Sequence, residues 1–384
     1  MKPIPYGRHN ITNEDIQAVV ETLKSDFLTQ GPKVSEFENK FAGRIGAKYS
    51  VAVCNGTAAL HIAALAIGIK AGDNIIVTPL TFVASANCVR YCGGNVSFCD
   101  IDKENYLIDI DKLHNMLKQK PKGYYKGIVP VDFAGYPVQG EKLRELANEY
   151  GLWIIEDACH APGAYFIDSN NTKQNCGNGL FADLTAFSFH PVKHIATGEG
   201  GMVTTNNEEL YNKLCLYRTH GITKSPSLLH ENHGGWYYEM QELGFNYRMT
   251  DFQAALGISQ LTRLNENLKK RNEIAKKYNE AFANTKGIIT PKVDGNSFHA
   301  YHLYIIQVED RAGLYNHLKL NNIFAQVHYE PVHTQPYYIK LGNKKGDFPI
   351  VEKYYERCLS LPMFPTLTEK EQNWVIEKIK EFIE

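Results

Sequence analysis

From about residue 14 to residue 205, short apolar runs alternate with helical stretches, and this alternation constrains the fold more than any other feature of the chain. Strands are expected at Ser50–Cys54, Asn74–Thr78, Val96–Cys99, Gly127–Asp132, Leu152–Glu156, Leu184–Phe189 and Met202–Thr205. Helices are expected between them at Thr57–Ile67, Phe82–Tyr91, Ile110–Leu117 and Gly140–Tyr150. Strands separated by helices require crossovers, and crossovers give a mostly parallel sheet covered on both faces. Ligands on such sheets sit at the carboxyl ends of the strands. After about residue 225 the pattern changes. A polar loop at Ser225–Gly235 precedes one or two helices over Thr250–Ala275, strand signals at Ala300–Val308 and Asn322–His328, and a final helix from Thr368 onward. The expected division is a large α/β domain, residues 1–260, and a smaller α+β domain, residues 261–384.

The 384 residues suffice for a large core, and a formal net charge of −1 argues against broad electrostatic binding to nucleic acid or anionic membranes. Residues Met1 to Asn10 lack the apolar core of a signal peptide, and no run approaches the length of a membrane span, so a cytoplasmic protein is expected. The eight cysteines contain no CxxC pair, and several fall in apolar runs, which favours reduced structural thiols. Cys88 and Cys92 find no second ligand pair at a useful spacing, and no metal site is expected.

Three segments fall where a strand-end site would lie. Lys193 follows Ser188-Phe189-His190-Pro191-Val192 and precedes the turn Gly198-Glu199-Gly200-Gly201. Most lysines are solvated surface charges. An amine delivered by an apolar strand is different, because desolvation disfavours the ammonium and frees the lone pair that attacks a carbonyl. The stretch Val51–Leu60 reads as a buried strand, a small-residue turn at Asn55-Gly56-Thr57 and an Ala-rich helix beginning with Ala58. Free backbone N–H groups and the Thr57 hydroxyl suit a phosphate there, although a plain capped helix has the same sequence. Neither a Walker loop nor GxGxxG is present. In Ile154-Ile155-Glu156-Asp157-Ala158-Cys159-His160 an apolar strand ends in carboxylates with an imidazole three residues past Asp157. Such an aspartate either caps the next helix or holds a proton on a heterocyclic nitrogen, making that ring an electron sink.

Together these segments resemble the fold-type-I pyridoxal phosphate (PLP) enzymes, and within them the DegT/DnrJ/StrS-type nucleotide-sugar aminotransferases. The resemblance runs from Phe27-Leu28-Thr29-Gln30-Gly31-Pro32 through NGTAAL, TPLTFVASAN, IIEDACHAPGA, SFHPVKHIATGEGG and LGFNYRMTDFQAALG to VHYEPVH and LSLPMFP. It implies that Lys193 holds PLP as a Schiff base and then moves protons, with pyridoxamine phosphate as the aminated form. Asp157 would pair with the pyridinium nitrogen, His160 lie near the phenolic oxygen and Phe82 stack on the ring. Gly56, Thr57, Ala58 and Ser188 would hold the phosphate, and Asn246 would reach it from the second subunit of a homodimer. The N-terminal segment, with Tyr6 and Thr29, would lie on the substrate side. Glutamate would supply the amine.

The family contains a branch that removes the sugar C3 hydroxyl and carries histidine in place of the lysine. Lys193 is retained here, which points to amine transfer, although His194-Ile195-Ala196 departs from most of the aminotransferases. The opening Ile4-Pro5-Tyr6-Gly7-Arg8, the SFHPVK run and Trp236–Arg248 resemble the branch that aminates C4 of a UDP-linked 4-keto-6-deoxy-N-acetylhexosamine in pseudaminic acid biosynthesis. The alternatives are a GDP- or dTDP-linked keto sugar, the C3 dehydration and, more distantly, a regulatory or scaffold protein. A scaffold would have no chemical need for the lysine. In His328-Tyr329-Glu330-Pro331-Val332-His333 the proline breaks any helix that would align the histidines for a metal. Sugar or phosphate contacts by His328, Tyr329 and His333 are expected there instead, with a structural role in the small domain the alternative.

Overall fold

The computed structural model describes residues 2–383. Its centre is a seven-stranded sheet: β1 (Tyr49–Val53), β2 (Asn74–Val77), β3 (Asn95–Phe98), β4 (Tyr125–Val129), β5 (Trp153–Asp157), β6 (Leu184–Ser188) and β7 (Gly201–Thr205). Each of the seven apolar runs forms one of these strands, in the spatial order β1-β7-β6-β5-β4-β2-β3. Only β7 is antiparallel, pairing Gly201 with Val53 on one side and with Ser188 on the other. The reason lies in its connection. Residues 189–200 hold no crossover helix, so the chain returns directly beside β6. That return loop carries Lys193.

Both faces of the sheet are buried, and the strand residues divide between them with a period of two. Ile75, Val77 and Ile155 pack under helices α3 (Gly56–Ala66) and α4 (Ala84–Tyr91). Ile76, Ile128 and Ile154 pack on the opposite side with α5 (Ile110–Lys118) and α6 (Gly140–Tyr150). Helix α3 is apolar around most of its circumference, as a helix enclosed by other elements must be. Two helices before the sheet, α1 (Asn13–Leu23) and α2 (Pro32–Ile45), pack against α8 (Asp251–Thr262). The helix α7 (Glu208–Arg218) follows β7.

The expected helical span near residues 250–275 is two helices, α8 and the 19-residue α9 (Leu264–Phe282), which meet at Arg263. Beyond them β8 (Tyr304–Gln307) and β9 (Cys358–Leu361) form an antiparallel pair. Tyr278 of α9 packs in this region's core with Tyr304, Ile306, Leu359 and, from the C-terminal helix Glu369–Ile383, Val375. Ile4 enters the same core, because Ile4–Pro5 pairs with Ile323–Phe324. The strand expected over Asn322–His328 is therefore only Ile323–Phe324. The chain beyond it keeps a single bridge, Gln326 to Ser360, before reaching the sheet's carboxyl edge. Residues 225–235 contain neither helix nor strand, as their polar composition predicts.

Candidate active site

A cavity of about 600 Å³ opens where β5 and β6 end and α3 begins. This lies within the size range of small-molecule sites. Its floor is the β6–β7 loop. Lys193 N–H donates to the His190 carbonyl at 2.8 Å, and Phe189 and Gly200 close the loop through a backbone bond of the same length. The Lys193 amine lies inside the cavity, where burial pulls its pKa down to about 8 against the opposing charge of Asp157. A substantial share of the amine is thus neutral near physiological pH, as a nucleophile requires.

One wall is the N-terminus of α3. Asn55 caps the helix by accepting the Ala58 N–H at 2.8 Å, which leaves the Gly56 and Thr57 N–H groups without an acceptor inside the helix. Ala58 is buried behind them, and its amide is already committed. A Cβ on Gly56 would stand 2.8 Å from Ser188 Cβ, and one on Gly201 would stand 2.5 Å from the Asn55 carbonyl oxygen. Glycine at both places lets the helix start press against β6 and β7. Two amides, the Thr57 hydroxyl and the Ser188 hydroxyl then form an anion cradle.

Asp157 faces Lys193 from the end of β5. Its Oδ2 accepts from Ser85 Oγ at 2.5 Å and its Oδ1 from the Cys159 N–H at 3.1 Å; Thr81 and Ser85 share a further hydroxyl contact of 2.6 Å. The carboxylate lines the cavity and, among the described residues, forms no ion pair. Ser85 was not legible as a site residue, since a serine inside an expected helix carries no signal of its own. Phe82, on the same segment, is 56% exposed and also lines the cavity, so its ring has a free face.

Histidines form the far side. His160 Nδ1 accepts the Ala134 N–H at 3.2 Å, so the neutral ring carries its proton on Nε2 and donates to Tyr329 Oη, also at 3.2 Å. Burial, followed by the Lys193 charge, holds His160 well below its ordinary pKa. His302, reached from the small-domain side, places Nε2 3.3 Å from Lys193 Nζ. Its place in the apolar run Ala300–Val308 makes it look like part of a core strand, and the one polar signal was a histidine at the start of that run, three residues after His299. His328 is held by Ser360 Oγ at 2.8 Å, and burial takes its pKa down to about 3; Tyr6 tilts against its ring at 5.2 Å.

The remaining expected residues lie elsewhere. His333 is fully buried outside the cavity, where Nε2 meets Glu352 at 3.0 Å and the ring packs on Phe348. The proline turn that argued against metal binding also directs it away from the site. Thr29 is exposed and bridges to Thr250, because the helix that follows begins at Pro32 and ties that segment to α8. Asn246 is exposed on this subunit and pairs with Thr219. The eight cysteines are free thiols, and among the described residues no helix is long and apolar enough to cross a membrane.

The cavity matches the shape of PLP group by group. It has an anion cradle at one end, a partly neutral lysine at the centre, a cation-free carboxylate behind it and an unstacked aromatic face. Fold and site together define a PLP-dependent aminotransferase of the α/β type. The chain belongs to the DegT/DnrJ/EryC1/StrS aminotransferase family, whose family model matches residues 9–380. It is 41% identical over 388 residues to the spore coat polysaccharide biosynthesis protein SpsC of Bacillus subtilis, covering 99% of this chain and 97% of that protein. It is 35% identical over 388 residues to the UDP-4-amino-4,6-dideoxy-N-acetyl-beta-L-altrosamine transaminase of Campylobacter jejuni, covering 99% and 98%. Among solved structures, Helicobacter pylori PseC, an aminotransferase of pseudaminic acid biosynthesis, superposes with a TM-score of 0.89 at 29% identity, covering 100% of this chain and 99% of that one. Streptococcus pneumoniae Spr1654 in its PLP form gives 0.89 at 28% identity, covering 99% and 98%.

Proposed function

We propose that this enzyme transfers the amino group of glutamate to C4 of a UDP-linked 4-keto-6-deoxy-N-acetylhexosamine, forming UDP-4-amino-4,6-dideoxy-N-acetyl-β-L-altrosamine for pseudaminic acid biosynthesis. The observation that carries the reading is Lys193, a half-buried lysine whose pKa is drawn down to about 8 across one cavity from Asp157. The sugar assignment rests on the similarity to the Campylobacter transaminase and to PseC. When bound, PLP supplies a carbonyl that accepts an amine and a ring that stores the electrons of the carbon being deprotonated.

Gly56, Thr57 and Ser188 hold the phosphate, and Phe82 covers the ring. Asp157 would accept the hydrogen bond of the proton-bearing ring nitrogen from behind the cavity. Ser85 fixes the carboxylate's orientation. Lys193 would hold the cofactor's carbonyl carbon and, as a free amine at the same place, would carry protons to and from the substrate carbon. His160 holds Tyr329 with its O–H free to point inward. Tyr6, His328 and Tyr329 line the side from which a sugar ring enters, offering hydroxyl, imidazole and stacking contacts. Asn246 completes the cradle of the second subunit in a homodimer. Residues 1–260 form the PLP-binding domain in this reading, and 261–384 the smaller one.

The test is a screen of nucleotide-linked 4-keto sugars with glutamate, read by product mass. Amination of the UDP-linked N-acetyl substrate supports the assignment. Faster amination of a GDP- or dTDP-linked sugar would reassign the nucleotide, and a product lacking one oxygen without gaining nitrogen would make the enzyme a dehydratase.

A further inference from the structure

Among the described residues, His302 is the one whose side chain makes a hydrogen-bond contact with the Lys193 amine, at 3.3 Å, and its imidazole has no other hydrogen-bond partner. Its second ring nitrogen, Nδ1, is buried and makes no hydrogen bond. Its backbone is fixed. Arg271, buried on α9, donates to the carbonyls of Tyr301 at 3.0 Å, His302 at 3.4 Å and Met363 at 2.9 Å. The imidazole packs against the rings of His160 and His194, whose centroids lie 4.4 and 5.9 Å away.

The orphaned Nδ1 decides the tautomer. A bare lone pair in the interior is tolerated better than an N–H with no acceptor. The proton consequently sits on Nε2, the nitrogen that faces Lys193. The neighbouring rings keep the same neutral state. His194 Nε2 donates to the Ala300 carbonyl at 2.9 Å, while His160 donates to Tyr329. The other groups that bear on the amine are Asp157 at the end of β5, which favours its charge, Arg271, which opposes it, and two groups that burial keeps neutral, the Cys159 thiol and the His328 imidazole.

We propose that His302 is a positioning residue for the reaction, donating its Nε2–H to the lone pair of the free Lys193 amine and so selecting the neutral amine over the ammonium. An ammonium at Nζ would meet the imidazole N–H donor to donor. Relief by a tautomer switch would leave a buried Nδ1–H without an acceptor. His302 thus orients the lysine for each return to the cofactor. This inference rests on Lys193 being the residue that bonds PLP.

The experiment is the pH dependence of PLP capture by the full-length protein freed of cofactor, in wild type, His302→Phe and His302→Gln. Borohydride reduction and peptide mass identify the modified residue. The expected result is modification of Lys193 in all three, with the midpoint of the capture profile displaced upward by about one pH unit in both variants and further in His302→Gln, whose carbonyl can accept from an ammonium. Unchanged midpoints with Lys193 still modified would overturn the role of His302 and leave the lysine assignment standing. No modification of Lys193 in wild type would overturn both. A second measurement needs no variant to fold: ¹⁵N shifts of histidine-labelled wild-type protein report the tautomer of each ring. The proposal requires Nε2–H at His302, and Nδ1–H there would refute it.

Discussion

Glu156 and Asp157 are adjacent on β5, both buried, and point to opposite sides of the sheet. Asp157 faces the cavity with a hydroxyl and one amide for company. Glu156 faces the interior, where Oε2 accepts from Thr185 Oγ1 at 2.8 Å and the Gly177 N–H at 3.1 Å. Beside it stands Asp132, whose Oδ1 accepts the Val138 N–H and whose Oδ2 is buried without any other partner. Burial raises the pKa of both Glu156 and Asp132; the Glu156 charge adds to the rise at Asp132 and the Asp157 charge to that at Glu156, which favours a proton retained by the pair. With Cys176 they form a group whose ligand atoms lie within 4.8 Å of one another. Glu156 is already hydrogen-bonded to the fold, and both carboxyls favour a retained proton, which explains the group better than a cation does. One residue step along a strand thus separates a carboxylate that lines the cavity from one enclosed in the fold.

The comparison predicts opposite outcomes for neighbouring substitutions. Asp157→Asn should lower kcat by roughly 10²–10³-fold, because the charge opposite the cofactor nitrogen is lost. Thermal stability should change by less than about 1 kcal/mol, since the amide oxygen can still accept from Ser85. Glu156→Ala should destabilise the protein by about 2–4 kcal/mol in urea unfolding, leaving the Thr185 hydroxyl, the Gly177 amide and Asp132 unpartnered. Activity per folded molecule should be nearly preserved. Exchanged phenotypes would break the distinction.

Two smaller effects sharpen it. The folded pair retains a proton that the unfolded chain releases above about pH 4, so the native state binds more protons in that window. Its contribution to stability is full below the unfolded pKa and is lost as pH rises through the raised folded values. Asp132→Asn supplies an N–H in place of the shared proton, and should flatten the decline of Tm with rising pH. The same contrast recurs for the two C-terminal histidines. His328→Ala should raise KM for the sugar severalfold with little change in Tm, whereas His333→Ala should lower Tm by breaking its contact with Glu352 and leave KM unchanged. Steady-state kinetics beside thermal scans measure both.

The sequence carried the large domain well, because both faces of its sheet are buried and each strand appears as an apolar run. It also placed Lys193, Asp157, His160 and Ser188 together, since each lies at a strand end of the same sheet. The small domain was less legible. Its strands are two to four residues long and gain their order from contacts with Ile4, Tyr278 and the C-terminal helix. His302 and Ser85 escaped notice because their importance depends on contacts across more than seventy positions of sequence. His333 shows the reverse error of proximity. Five residues from His328, it is carried by a proline turn into a separate buried pocket.

The central claim is that Lys193 and Asp157 hold PLP in a state ready to accept an amine. The most direct measurement is an absorbance titration of the PLP-loaded enzyme with glutamate, with 2-oxoglutarate assayed in parallel. The account predicts loss of the visible band of the lysine-bound cofactor, with one 2-oxoglutarate formed for each site converted and both lost in Lys193→Ala. A visible band that persists at saturating glutamate, or turnover that survives Lys193→Ala, would contradict it.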